Sequence, residues 1–190
     1  MKKQKKNKSA ILLILLAMLV YLSSYIARKA YDSNINNIID FYGVDKGTAG
    51  LVGTFFFISY AVGQVVHGLF CRYYPKRWSV TIAALVSATM TFLMWLMPPE
   101  GFRFVKYFWL INGFALSSLW ASFILIFATS LASTHKKQAL VIMTFPVSVG
   151  TFVCYGLSSL FTALNNFKLM FYTGAGCLFS ECYGLSFQKN

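Results

Sequence analysis

The stretch Tyr21–Gly43, YLSSYIARKAYDSNINNIIDFYG, sets Arg28 and Lys29 directly after an apolar run and follows them with Asp32, Asn34, Asn36 and Asn37. On a helix of 3.6 residues per turn, Tyr21, Ser24, Tyr25, Arg28, Asp32 and Asn36 share one face about 120° wide, while Leu22, Ile26 and Ala27 point elsewhere. One face of an apolar segment is thus polar, aromatic and charged, and two readings of it are open. In the first, the membrane segment ends near Ala27 and the cations snorkel to the surface. Arg28 would then lie about 27 Å along the axis from Ala10, close to the far side of a hydrocarbon core about 30 Å thick. In the second, the basic N-terminus projects from the bilayer and Arg28 sits nearer mid-depth in a wet cavity. An arginine there needs a partner, either Asp32 one turn on or an anionic ligand.

Composition decides the solvent. Of 190 residues, 57% are hydrophobic, 18% aromatic and only 12% charged, about half the charged share of a soluble domain. A net charge of +12 would suit nucleic acid, but the cations form short clusters between long apolar runs, so they set membrane orientation and no nucleic-acid partner is expected. Six segments have the length for a membrane helix: 10–39, 47–70, 78–97, 104–127, 139–160 and 169–187. The expected fold is therefore all-α, a polytopic bundle of six transmembrane helices. Residues 1–9 form a basic cytoplasmic N-terminus, 10–187 the membrane domain, and 180–190, SECYGLSFQKN, an odd tail. The N-terminal run resembles a signal peptide but ends in no small-x-small site, so it reads as an uncleaved first span.

Orientation follows from charge. With the N-terminus cytoplasmic, Lys2, Lys3, Lys5, Lys6, Lys8, Arg72, Lys76, Arg77, Lys136, Lys137 and Lys189 fall inside, and only Lys46, Arg103, Lys106 and Lys168 outside. That asymmetry predicts both termini in the cytoplasm and residence in the plasma (cytoplasmic) membrane.

Within the spans, Gly50, Gly53, Gly63, Gly68 and Gly113, with Ala115, Ser117 and Ser118, are small residues that let helices approach. Pro146 predicts a kink in the fifth span. Tyr60, Gln64 and His67 share one face of the second span, as a pocket lining or as interhelical glue. Asn112 and Trp120 are expected to pack. His67 and Cys71 stand four apart, but no further ligands complete a metal shell, so neither metal nor cofactor is expected. His67, His135 and Ser158 form no nucleophile and base constellation, which argues against an enzyme.

The run 21–70 resembles the first two helices of the organophosphate:inorganic phosphate antiporters of the major facilitator superfamily, the glycerol-3-phosphate and hexose-phosphate transporters. LINGFALSSLWASF, STHKKQA and SVGTF extend the similarity over about residues 15–178. The resemblance implies the N-terminal half of a twelve-helix carrier working by alternating access. Its most specific element is Tyr-x-x-Arg-Lys, Tyr25 to Lys29, with Tyr21 one turn earlier. It implies that Arg28 binds an organic or inorganic phosphate, a planar fork meeting two oxygens. Lys29, Tyr21, Tyr25, Tyr60 and Gln64 would line the pocket, Asp32, Asn36 and His67 would add polar groups to the cavity, and Arg72, Lys76 and Arg77 would form the gate loop. The chain departs from the family pattern at Gln64, often lysine there, at Arg72, where an acid belongs, and in TFPVSVG, which has no histidine. The expected partners are a small anionic solute, the lipid bilayer and a second six-helix half, from a separate chain or a homodimer. A truncated or split carrier gene is the expectation for the tail. The alternative function is a non-transporting membrane sensor or partner module.

Overall fold

In lipid no water is at hand for backbone N–H and C=O groups, and a helix pairs them within its own segment. The computed structural model is helical throughout, with no strand among the described residues. The structure describes residues 2–70, 72–73, 75–131 and 133–187, without the side chains of 2–9, 76–77, 133–134 and 183–187. The helices are α1 (Lys2–Ser33), α2 (Ile35–Tyr42), α3 (Lys46–Phe70), α4 (Lys76–Leu96), α5 (Phe102–Ser130), α6 (Ser133–Ile142), α7 (Phe145–Ala163) and α8 (Leu169–Phe187), with a 3-10 turn at Pro99–Gly101 before α5.

Among the described residues, five segments are long and apolar enough to cross a membrane: Ala10–Ser33, Lys46–Phe70, Trp78–Leu96, Pro99–Ser130 and His135–Ala163. Helix α8, whose side chains from 183 onward lie outside the described residues, is not among them, yet it packs against α1 and α4 as part of the bundle. Of the tail expected over 180–190, the side chains from 183 onward and all of 188–190 lie outside the described residues.

Two of the expected spans are interrupted. The first, expected to run unbroken to Ile39, breaks at Asn34, whose Nδ2 donates to the Ala30 carbonyl at 3.0 Å. An asparagine amide competing for backbone carbonyls offers the chain an alternative to the helical ladder. Helix α2 then continues to Tyr42 and ends at Gly43, in the left-handed region at φ 63°, a conformation that costs glycine little. Asp45 opens α3, accepting from the Thr48 N–H at 2.9 Å and the Thr48 hydroxyl at 2.5 Å. These bonds hold its carboxyl below the usual carboxylate range. This capping is present above the ordinary aspartate pKa and is lost as pH falls through the lowered value. The other break separates α6 from α7 at residues 143–144, just before Pro146 in the first turn of α7, where its missing N–H costs nothing.

The packing order is α3, α5, α4, α8, α1, α7, each helix against the next. Small residues allow two of these contacts. A Cβ on Gly63 of α3 would strike Phe114 and Ser117 of α5, and a Cβ on Gly150 of α7 would strike Leu22 and Tyr25 of α1. Outside the core, Ile11, Leu15, Val65, Phe152 and other large apolar side chains are exposed, as a lipid-facing surface requires.

Buried polar side chains of α4 and α5 pair with one another. Asn112 of α5 is fully buried, accepting from the Ser87 hydroxyl at 2.6 Å and donating to Thr91 Oγ1 at 3.5 Å, both on α4. Intramembrane hydrogen bonds of this kind contribute about 0.6–1.7 kcal/mol each. Asn112→Ala is therefore expected to lower the melting temperature in detergent by about 2–4 °C, and an unchanged midpoint in a thermal-shift assay would refute that role. At the opposite end of the bundle from the α1 N-terminus, Met97 O accepts from Lys168 Nζ at 2.6 Å and Tyr42 Oη at 3.3 Å. Lys168 also covers the Phe41 ring at 4.4 Å, and burial pushes its ammonium pKa down. The turns after α2, α4 and α7 are tied at one carbonyl.

Candidate functional site

Tyr21, Tyr25 and Arg28 follow one another at helical spacing on α1, and Phe56, Phe57 and Tyr60 do so on α3. The two sets meet. The Arg28 guanidinium carbon lies 4.5 Å from the Tyr60 ring centroid, 5.2 Å from Phe56, 5.4 Å from Tyr25 and 5.5 Å from Phe57. Four aromatic rings flank one cation, each attracting it through its negative face. The walls are braced from behind. Phe56 stacks on Tyr60 at 6.0 Å and meets the buried Trp109 of α5 at 6.1 Å, and Trp109 also contacts Tyr31 at 5.3 Å and Phe171 at 6.2 Å. Tyr21, buried, continues the aromatic lining to Tyr25 at 5.2 Å, Trp120 at 5.6 Å and Phe123 at 6.0 Å.

Arg28 has no acid. Its Nε is buried without a hydrogen-bond partner. Asp32, a candidate counter-ion from the helical wheel, bonds Lys29 Nζ at 2.9 Å instead. Arg28 turns toward α3 and its rings, which leaves Lys29, one residue on, as the cation within reach of Asp32. Lys29 is thus ion-paired rather than free in the pocket. Gln64 donates to Tyr60 Oη at 3.1 Å, which brings it to the rim of the aromatic cluster.

The remaining residues singled out from the sequence lie elsewhere. His67 is half-buried against Phe114, ring centroids 4.9 Å apart, and lines an apolar cavity of about 320 Å³ with Pro75 and Trp78. Asn36 is exposed on α2 and lines a polar cleft of about 630 Å³ with Asp32 and with Tyr155, Ser159 and Thr162 of α7. Arg72 is exposed and held by Tyr73, with Nη2 donating to its hydroxyl at 3.0 Å. Lys76 and Arg77 begin α4, their side chains lying outside the described residues. Phe56, Phe57 and Trp120 were not expected in the site. The available signal was spacing, because Phe56 precedes Tyr60 by one turn and so shares its face.

No group of three His, Cys, Asp or Glu residues that could hold a metal occurs among the described residues. The arrangement sets a partly covered guanidinium among four aromatic rings, with its Nε buried and unpartnered. Residues 17–182 match the family model of the Major Facilitator Superfamily. The search of curated proteins found no match. With that match covering most of its length, and with its apolar helix bundle, this multi-pass membrane protein belongs to the Major Facilitator Superfamily, whose members are transporters rather than enzymes.

Proposed function

We propose that the chain is one six-helix half of an alternating-access carrier of small organic anions, organic phosphates or carboxylates, with Arg28 as the anion's ligand. The observation that carries this reading is the Arg28 Nε, buried and unpartnered among four aromatic rings. Placing a cation in such surroundings is costly, and a bound anion offsets that cost with charge-assisted hydrogen bonds. Tyr21, Tyr25, Tyr60 and Gln64 shape the pocket around the solute, and Lys29 contributes through its pairing with Asp32. In carriers built from repeats the midplane site lies between two bundles that rock against each other. Arg28 is only partly covered and Gln64 is exposed, so a second six-helix bundle would close the site. The charge asymmetry supports cytoplasmic termini in the plasma membrane.

Counterflow tests the reading. Proteoliposomes preloaded with an organic phosphate or a carboxylate are expected to take up labelled solute when the chain is reconstituted with a second six-helix bundle. Absence of both binding and uptake for every such anion, with and without that bundle, would overturn the carrier. Binding without uptake in the presence of the second bundle would instead identify a sensor.

A further inference from the structure

We infer that the groove between α3 and α4, over α5, holds an acyl chain of one anionic phospholipid, whose headgroup is met by Arg72, Lys76 and Arg77 at the turn that joins α3 to α4.

Helices α3 and α4 each pack along α5, and a cavity of about 320 Å³ between them is lined from all three. Its α5 residues, Ile111, Phe114, Ala115 and Ser118, centre on the opposite face of that helix from Trp109, Trp120 and Phe123. Those three rings meet Tyr31 and Tyr21 of α1. The cavity therefore opens away from α1 and Arg28. Trp78, Ile82, Ile111 and Phe114 are exposed around it, so its mouth is apolar and faces lipid.

The walls offer carbon. The Ser118 hydroxyl donates to the Ala115 carbonyl at 2.9 Å, and Ser79 Oγ accepts from the Ser122 hydroxyl at 2.9 Å, so both lining hydroxyls are engaged within the bundle. His67 turns its ring against Phe114. The lining runs from Trp78 to Val86, about 12 Å along α4, which is close to the depth of one leaflet in a core about 30 Å thick. A hydrocarbon chain fits those walls and that length.

Charge gathers at one end. Pro75 and Trp78 both line the cavity, and Lys76 and Arg77 stand between them in the chain, at the start of α4. Arg72 precedes them, exposed, with its Nη2 donating to the Tyr73 hydroxyl at 3.0 Å. From Phe70 to Ser79 the chain has these cations and no acid. Tryptophan seats at headgroup level, so Trp78 puts the basic turn at the depth of lipid phosphate and the cavity beneath it among the acyl chains. Basic pockets between membrane helices recognise anionic headgroups in this way. A choline headgroup cancels its own phosphate, so cations without an acid favour a lipid of net negative charge.

The full chain in detergent is titrated with phosphatidylglycerol or with phosphatidylcholine of identical acyl chains, and bound lipid is counted by native mass spectrometry. The first phosphatidylglycerol is expected to bind at least tenfold more tightly, and equal affinities would overturn the inference. Lys76→Gln with Arg77→Gln should abolish the preference. Lys136→Gln with Lys137→Gln removes the same charge at the same end of the bundle, but on α6, which packs on α1 and α5, and should preserve it. Equal loss in both pairs would reduce the effect to overall charge and overturn the site. Ala115→Phe, with a ring in the cavity, should weaken phosphatidylglycerol at least tenfold at an unchanged melting midpoint, and normal binding would overturn the placement of the chain. If that ring unfolds the bundle, the charge variants still decide. Glycerol phosphate, a headgroup without chains, should not compete; competition would make the cations a site for free phosphate instead. A wild-type dimer that holds no lipid and dissociates in Ala115→Phe would assign the groove to a second copy of the chain, and the lipid would be refuted.

Discussion

Arg28→Lys is expected to weaken anion binding by roughly 10–150-fold, the equivalent of about 1.5–3 kcal/mol for hydrogen bonds to a charged group, and to bring counterflow below detection. Membrane abundance should not change. Lysine keeps the positive charge and its attraction to the ring faces of Phe56 and Tyr60, so the interior of the bundle tolerates it. It loses the planar fork, and with it the two parallel bonds to one anion. The pairing of readouts distinguishes the site from the alternative in which Arg28 snorkels to the surface, because a snorkelling cation is served equally well by either side chain. Wild-type counterflow in Arg28→Lys would restore that alternative.

The helices could be read in the sequence because lipid imposes a single strong rule, a run of about 20 apolar residues per span. The break at Asn34 could not, since Ile35, Ile38 and Ile39 continue the apolar pattern past it and only a side-chain amide, bonded to Ala30 O, diverts the backbone. The face containing Tyr21, Tyr25 and Arg28 was legible from periodicity. The partner of Asp32 was not. On a wheel Asp32 stands 40° from Arg28 and 60° from Lys29, a difference smaller than the reach of either side chain, so tertiary contacts with the rings of α3 decide. Phenylalanine carries no sequence mark of a binding role. Phe56 and Phe57 become walls of the site only because α3 turns them toward the guanidinium.

The close approach of α3 to α5 is what sets those walls, and Gly113 permits it. A Cβ at Gly113 would stand 2.5 Å from the Phe56 carbonyl oxygen and would also meet the Ser59 hydroxyl. Backbone cannot yield as a flexible side chain can, so Gly113→Leu must drive the two helices apart. Overpacking of this severity costs about 2–4 kcal/mol, expected as a fall of roughly 5–15 °C in the melting midpoint. The damage should extend to function. Phe56 belongs to the displaced backbone, and its ring lies between Trp109 and Arg28, so the variant that still folds should bind an organic phosphate or carboxylate poorly. Gly53→Ala is the matching control, in the same α3 helix but with nothing within 4 Å of its Cβ position. Relieving a helical glycine there should leave stability unchanged or raise it by up to about 1 kcal/mol. If Gly113→Leu melts with wild type while Gly53→Ala does the same, the α3–α5 contact does not position the site, and the aromatic walls must be held from the Trp109 side alone.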